Sequence, residues 1–188
     1  MKFYQLFTDG KRKALADATI SDLELVENFA DVLNSIRKAQ LYLTKIKVED
    51  IINWLDEISV TWSDRDSEVQ KHFSNQGINF LIFWFRKKHL MEISNLAFRG
   101  NRDFLDSFNN IKSSEIKLKA QPRGIVSHWI AGNVPMLGML SLVQGIITKN
   151  ANLVKVSKDN LHVLPMLLES MAKVNIKGSN GKLIEGKK

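Results

Sequence analysis

The chain has no cysteine in its 188 residues, which excludes disulfides, thiolate metal sites and a cysteine nucleophile from these residues. Its four histidines, His72, His89, His128 and His162, lack the close pairing of a zinc motif. Neither the GxGxxG dinucleotide fingerprint nor the Gly-rich lysine pattern of a P-loop occurs. The N-terminal MKFYQLFTDGKRK has too short an apolar run for a signal peptide and no small-residue cleavage site. Residues Gly124–Thr148 carry no Asp, Glu, Lys or Arg, but Gly132, Asn133 and Pro135 interrupt them. The residue before a proline avoids helical geometry, so a strand, a turn and a helix account for this stretch better than a membrane span does. These absences point to a cytoplasmic protein without a membrane span.

What is present is the composition of a folded protein: 44% hydrophobic and 9% aromatic residues. The length suits one compact domain, or a small domain plus part of another. The net charge of +7 is uneven: residues 1–111 hold 15 Lys/Arg against 16 Asp/Glu, and residues 112–188 hold 12 against 4. A field of that sign favours polyanions, whether dinucleotides, coenzyme A or nucleic acid.

The first 118 residues read as mainly helical. Ser21-Asp22-Leu23-Glu24 has the form of a capping box, and Val26, Phe29, Ala30, Leu33 and Ile36 follow at helical spacing. Further helices are expected over Val48–Ile58, with Glu49 or Asp50 at the positive end, over Asn75–Phe98 and, as a short element, over Asp103–Phe108. Trp54, Trp62, Phe80, Phe83 and Trp84 read as core aromatics. From residue 119 to 188 the pattern becomes α/β. Gly124–Ala131 is a mostly apolar strand, as in a parallel sheet buried on both faces. A nearly all-apolar helix opening at Pro135 runs to Thr148, with Gly138 and Gly145 allowing close backbone approach. Asn152–Val156 is the next strand, and Asp159 or Asn160 can cap a helix reaching about Val174. Ile176–Lys188 reads as a loop, a β-turn or a ragged end. Two βα units are fewer than a doubly wound sheet needs to enclose a ligand, so the α/β domain is expected to be incomplete in this chain.

Loops at strand C-termini gather ligands in open α/β sheets. Asn133 follows the first strand, where its amide can donate to a developing oxyanion. Lys155 ends the second, beside Ser157 and Lys158, where an amine can reach ribose hydroxyls or phosphate. Plainer roles stand beside these. Asn133 can cap the following helix, Lys155 can be an ordinary strand-end lysine, and Ser157 and Asp159 can be helix caps. His128, inside an apolar strand, reads as a hydrogen-bonded structural histidine.

At these positions the sequence resembles the aldehyde dehydrogenase superfamily, and more closely its LuxC-type acyl-CoA reductase branch. Ala131-Gly132-Asn133-Val134-Pro135 stands where the dehydrogenases carry a Pro-Trp-Asn-aromatic-Pro turn. Asn150-Ala151-Asn152-Leu153-Val154-Lys155-Val156-Ser157 is similar to their Gly-Asn-(apolar)-Lys-Pro-Ser segment. The resemblance implies an α/β fold in which a helical N-terminal region precedes the first βα units of an aldehyde-dehydrogenase-like Rossmann-type domain. It implies a cysteine that attacks an acyl-CoA or acyl-protein thioester, and a nicotinamide cofactor that reduces the acyl-enzyme to an aldehyde. Asn133 then holds the oxyanion, Lys155 the adenosine ribose, and the backbone of Ile130, Ala131 and Gly132 borders the cofactor, with Ser157 and Lys158 nearby. Lys158 stands where many NAD-linked members have a glutamate that accepts from the ribose 2′-hydroxyl, which implies NADPH rather than NADH. The nucleophile is expected beyond this chain, so the chain alone is expected to be inactive. A homo-oligomeric full-length enzyme and an acyl-activating synthetase partner are also implied. Two other classes remain open: a noncatalytic nucleotide- or CoA-binding module, and a basic nucleic-acid-binding protein supported only by charge.

Overall fold

The computed structural model describes residues 4–8, 10–13, 19–111, 114–134, 136–158 and 161–187. Among them are seven α-helices: α1 (Phe29–Leu43), α2 (Val48–Ser63), α3 (Glu68–Phe73), α4 (Ile78–Trp84), α5 (Lys87–Ala97), α6 (Leu137–Ile147) and α7 (Val163–Ala172). Short antiparallel ribbons pair β1 (Tyr4–Gln5) with β4 (Glu24–Leu25), β2 (Phe7–Thr8) with β3 (Lys11–Arg12), and β5 (Asn109–Asn110) with β6 (Lys117–Leu118). A parallel pair, β7 (Ile125–Trp129) and β8 (Ala151–Lys155), brackets α6, and a hairpin of β9 (Asn175–Lys177) and β10 (Leu183–Glu185) follows α7.

Helix α2 is the hub. Val48, Ile51, Ile52, Leu55, Ile58, Ser59 and Trp62 recur every three or four residues and are all buried, and the helix packs against α4, α5 and α6. Its hydrophobic cluster is shared with Met139, Val143, Leu164 and Leu167 of α6 and α7, so one core spans both sides of residue 118. The polar groups on α2 are matched as carefully. The Val48 N–H, unpaired within its own helix, donates to both Asp106 carboxylate oxygens at 3.0 and 3.1 Å, and the buried Lys149 ammonium closes on the same carboxylate at 2.5 Å. Asp50, in the first turn, accepts from the Ser179 N–H and hydroxyl, both at 2.9 Å. The indole N–H groups of Trp54 and Trp62 donate to the Val174 carbonyl at 2.9 Å and to Ser170 Oγ at 2.8 Å.

Several expectations need correction. The Ser21–Glu24 segment does not open a helix: Ser21 lies in a 3-10 turn (Ile20–Asp22), and Glu24 is already in β4. Thr19 and Asp22 close that turn instead, the Asp22 carboxylate accepting from the Thr19 N–H at 2.8 Å and from its hydroxyl at 2.7 Å. These bonds hold the Asp22 carboxyl below its ordinary pKa. Helix α1 starts at Phe29, where the Asn28 side chain accepts from the Ala30 N–H.

The single helix expected over Asn75–Phe98 is two. Gly77, at φ 91°, precedes α4, and the backbone turns extended at Arg86, at ψ 137°. The break is held from outside, because Asp56 on α2 accepts from the Lys87 N–H at 2.8 Å and pairs with Arg86 at 3.2 Å. Helix α3, capped by Ser67, has no counterpart in the sequence reading, and the Asp103–Phe108 element is a 3-10 turn over Arg102–Leu105. Trp62 is a core residue, but Phe80 and Phe83 are 50% and 67% exposed. The segment after Ile176 is a regular hairpin, its turn closed by the Gly178 N–H donating to the Lys182 carbonyl at 2.8 Å.

The strand–helix–strand unit forms as its sequence suggests, but β7 is not buried on both faces: His128 is buried on one, while Ser127 and Trp129 are exposed on the other, where the two-stranded sheet is only partly covered. Helix α6 lies close enough to the strands that a Cβ on Gly138 would overlap the Ile130 side chain, and one on Gly145 would overlap the Asn152 amide. Pro135, Asp159 and Asn160, read as opening or capping residues, lie outside the described residues. Among the described residues no helix is long and apolar enough to cross a membrane.

Candidate functional site

The register of β7 and β8 pairs Ile125 with Ala151, Ser127 with Leu153 and Trp129 with Lys155. The Ile130 N–H extends the ladder by one bond to the Lys155 carbonyl at 3.1 Å. Both strands are parallel, so their C-terminal ends lie side by side and both following loops leave from one edge. Ile130 is half-buried beneath α6, Ala131 is exposed and Gly132 is half-buried. Asn133 sits exposed in the turn, and its amide makes no hydrogen bond to a described residue. Lys155 and Lys158 are exposed, with Ser157 half-buried between them. Among the described residues no carboxylate pairs with either lysine.

Alternation along a strand sends successive side chains to opposite faces. On the face toward α6, His128 is buried and makes two bonds, to Ser141 Oγ at 2.8 Å and to Asn152 Oδ1 at 2.9 Å. Asn152 Nδ2 donates to the Asn150 carbonyl at 3.0 Å, so its Oδ1 is the acceptor and His128 Nε2 carries a proton. Asn150 in turn accepts from the Gly124 N–H at 3.1 Å and donates to Thr148. This chain of polar contacts ties α6, β7 and β8 together, from the N-terminal ends of the strands up to His128. His128 is thus the structural histidine that the sequence indicates.

Sequence reasoning missed the framework roles of Asn150 and Asn152 and the Lys149–Asp106 pair. A signal for the first was present: Gly145 lies in an apolar helix seven residues before Asn152, a place where a helix must admit a neighbour's side chain. The Lys149 partner lies 43 residues away, beyond any local pattern.

The arrangement is a binding edge. It offers two cations without counter-carboxylates, one free amide and loop backbone at the ends of parallel strands, a set of groups suited to an anionic ligand. It contains no thiol, because the chain has no cysteine.

A parallel strand–helix–strand unit under a helical cover, with donors and cations gathered at one strand edge, defines a mixed α/β protein with a ligand-type edge. The family model described as acyl-CoA reductase (LuxC) matches residues 43–184, and the chain belongs to that family. The match runs from the end of α1 to β10 and includes both motifs. Among its relatives are long-chain acyl-protein thioester reductases. That of Aliivibrio fischeri is 25% identical over 145 residues, covering 69% of this chain and 30% of the relative. That of Vibrio harveyi is 25% identical over 158 residues, covering 72% and 32%. That of Photorhabdus laumondii is 38% identical over 128 residues, covering 60% and 26%. The chain therefore spans about a third or less of the length of these relatives.

Proposed function

We propose that this chain is the N-terminal part of a cytoplasmic, NADPH-dependent acyl-CoA reductase that reduces a long-chain acyl thioester, on coenzyme A or on a protein, to an aldehyde. The observation that carries the reading is the parallel register pairing Trp129 with Lys155, which brings the Asn133 turn and the lysine loop to one edge in a member of this family. Residues 119–188 then begin a Rossmann-type nucleotide-binding domain, and residues 1–118 form its helical support.

The donor set at this edge fits a phosphate-bearing dinucleotide. Lys155 would hold the adenosine ribose, the backbone of Ile130, Ala131 and Gly132 would border the cofactor, and Ser157 would stand beside it. Lys158 cannot accept a hydrogen bond from a ribose 2′-hydroxyl, but it can neutralise a 2′-phosphate. When bound, a reduced nicotinamide supplies a hydride. The Asn133 amide is free to donate to the oxyanion that develops when a thiolate adds to a thioester carbonyl. That thiolate has to come from outside these 188 residues, because they contain no cysteine. A homo-oligomeric enzyme and an acyl-activating synthetase partner belong to the same reading.

A second reading of the same exposed donors at the strand edge is a noncatalytic nucleotide- or CoA-binding module. Cofactor binding and aldehyde formation separate the two. NADPH should bind more tightly than NADH to the full-length protein carrying this segment, and Lys158→Glu should reverse the order. Equal affinities in all four titrations remove the NADPH assignment. Long-chain acyl-CoA should yield aldehyde only with the full-length protein. Aldehyde from the 188-residue chain alone would refute the external thiol, and none from either protein favours the binding module.

A further inference from the structure

Trp129 is the anomaly at this edge. It ends a strand whose preceding residue, His128, is buried, yet the indole is 76% exposed. Its N–H donates to Ser127 Oγ at 3.1 Å, two residues back on the same face. That bond satisfies the one polar group of the ring and leaves the residue mostly exposed. No other aromatic ring packs on it among the described residues. As register partners in a parallel pair, Trp129 and Lys155 send their side chains to the same face from neighbouring strands. An exposed aromatic ring thus stands beside a cation that pairs with no carboxylate among the described residues.

We propose that Trp129 is the platform on which the adenine of the bound nucleotide stacks, with the attached ribose reaching across to Lys155. The inference rests on the reading of this edge as a dinucleotide site and adds the residue that receives the base. Adjacent strands lie about 4.8 Å apart, so a base stacked on the indole leaves its own ribose within reach of the neighbouring strand's lysine. The pairing also divides the labour. The indole N–H is already committed to Ser127, so the platform reads the π-face of a purine and none of its edge groups. Discrimination at the ribose is left to the lysines.

The probe is adenosine 2′,5′-bisphosphate, titrated calorimetrically into the full-length protein carrying this segment and its Trp129→Ala, Trp129→Phe and Lys155→Ala variants, with nicotinamide mononucleotide as the control ligand. The indole is mostly exposed, so Trp129→Ala should keep the circular dichroism and melting of the parent. Stacking on an aromatic side chain is lost on truncation to alanine, and the expected effect is a drop in affinity of about tenfold. Trp129→Phe keeps a ring and should stay within about threefold of the parent. Ligand-induced change in tryptophan emission should vanish in Trp129→Phe, and affinity for nicotinamide mononucleotide should be the same in Trp129→Ala as in the parent. If Lys155→Ala weakens the bisphosphate and Trp129→Ala does not, the platform is wrong while the dinucleotide edge stands. If the parent protein takes up no bisphosphate, the dinucleotide edge and the platform fall together.

Discussion

Helix α2 and the β7–β8 edge treat their polar groups in opposite ways. On α2 the polar groups are matched by distant residues: Asp106, itself paired with Lys149, at its start, Ser179 on Asp50, and Val174 and Ser170 on the two indoles. At the strand edge, Asn133, Lys155 and Lys158 face solvent without carboxylate or amide partners among the described residues. A buried donor without an acceptor costs about 1–3 kcal/mol, so the interior has to be matched. An exposed cation left unmatched costs little in water and stays available to a ligand. The contrast separates the part of the molecule that is built for stability from the part that is free to bind.

Three substitutions probe that contrast. The largest effect belongs to the hub: Trp62→Ala removes a fully buried indole whose ring centroid lies 5.3 Å from that of Phe85, the two rings tilted, and should cost about 3–5 kcal/mol in chemical denaturation. A loss below about 1 kcal/mol would mean that α2 is not the organising helix. Next is Gly145→Ala, which drives a methyl group into the Asn152 amide and should cost about 1–3 kcal/mol. It should also disturb the His128–Asn152 bond, visible as a changed imidazole NMR signal. Smallest is Lys155→Ala, expected to change stability by less than about 0.5 kcal/mol because the side chain is exposed and unpaired. A large loss of stability there would move Lys155 from the binding edge into the framework.

The parts of this fold that local chemistry controls were open to sequence reading. The strands at 125–129 and 151–155, the apolar helix between them, α2, and the two close-approach glycines follow from apolar runs, helical periodicity and turn residues, whereas the exposure of Ser127 and Trp129 on one face of the first strand does not. Elements governed from a distance were not. The break at Arg86 depends on Asp56, about 30 residues earlier and on another helix, and no local pattern in Gly77–Phe98 records it. The shift from the expected box at Ser21 to the Thr19–Asp22 turn has a nearer cause, since pairing with β1 draws Glu24 and Leu25 into a strand. At the site, spacing alone placed Asn133 and Lys155 at strand ends. The polar underlayer of His128, Ser141, Asn150 and Asn152 emerged only when three elements were brought together.

The Asp50 carboxylate, buried at the start of α2, takes both of its donors from Ser179 in the β9–β10 turn. The β9–β10 hairpin is therefore part of how the central helix is finished. Anyone shortening this polypeptide, or grafting it to another, has to carry the stretch through Glu185 along. A cut made after α7 would take away both the cover and the two Ser179 donors of that carboxylate.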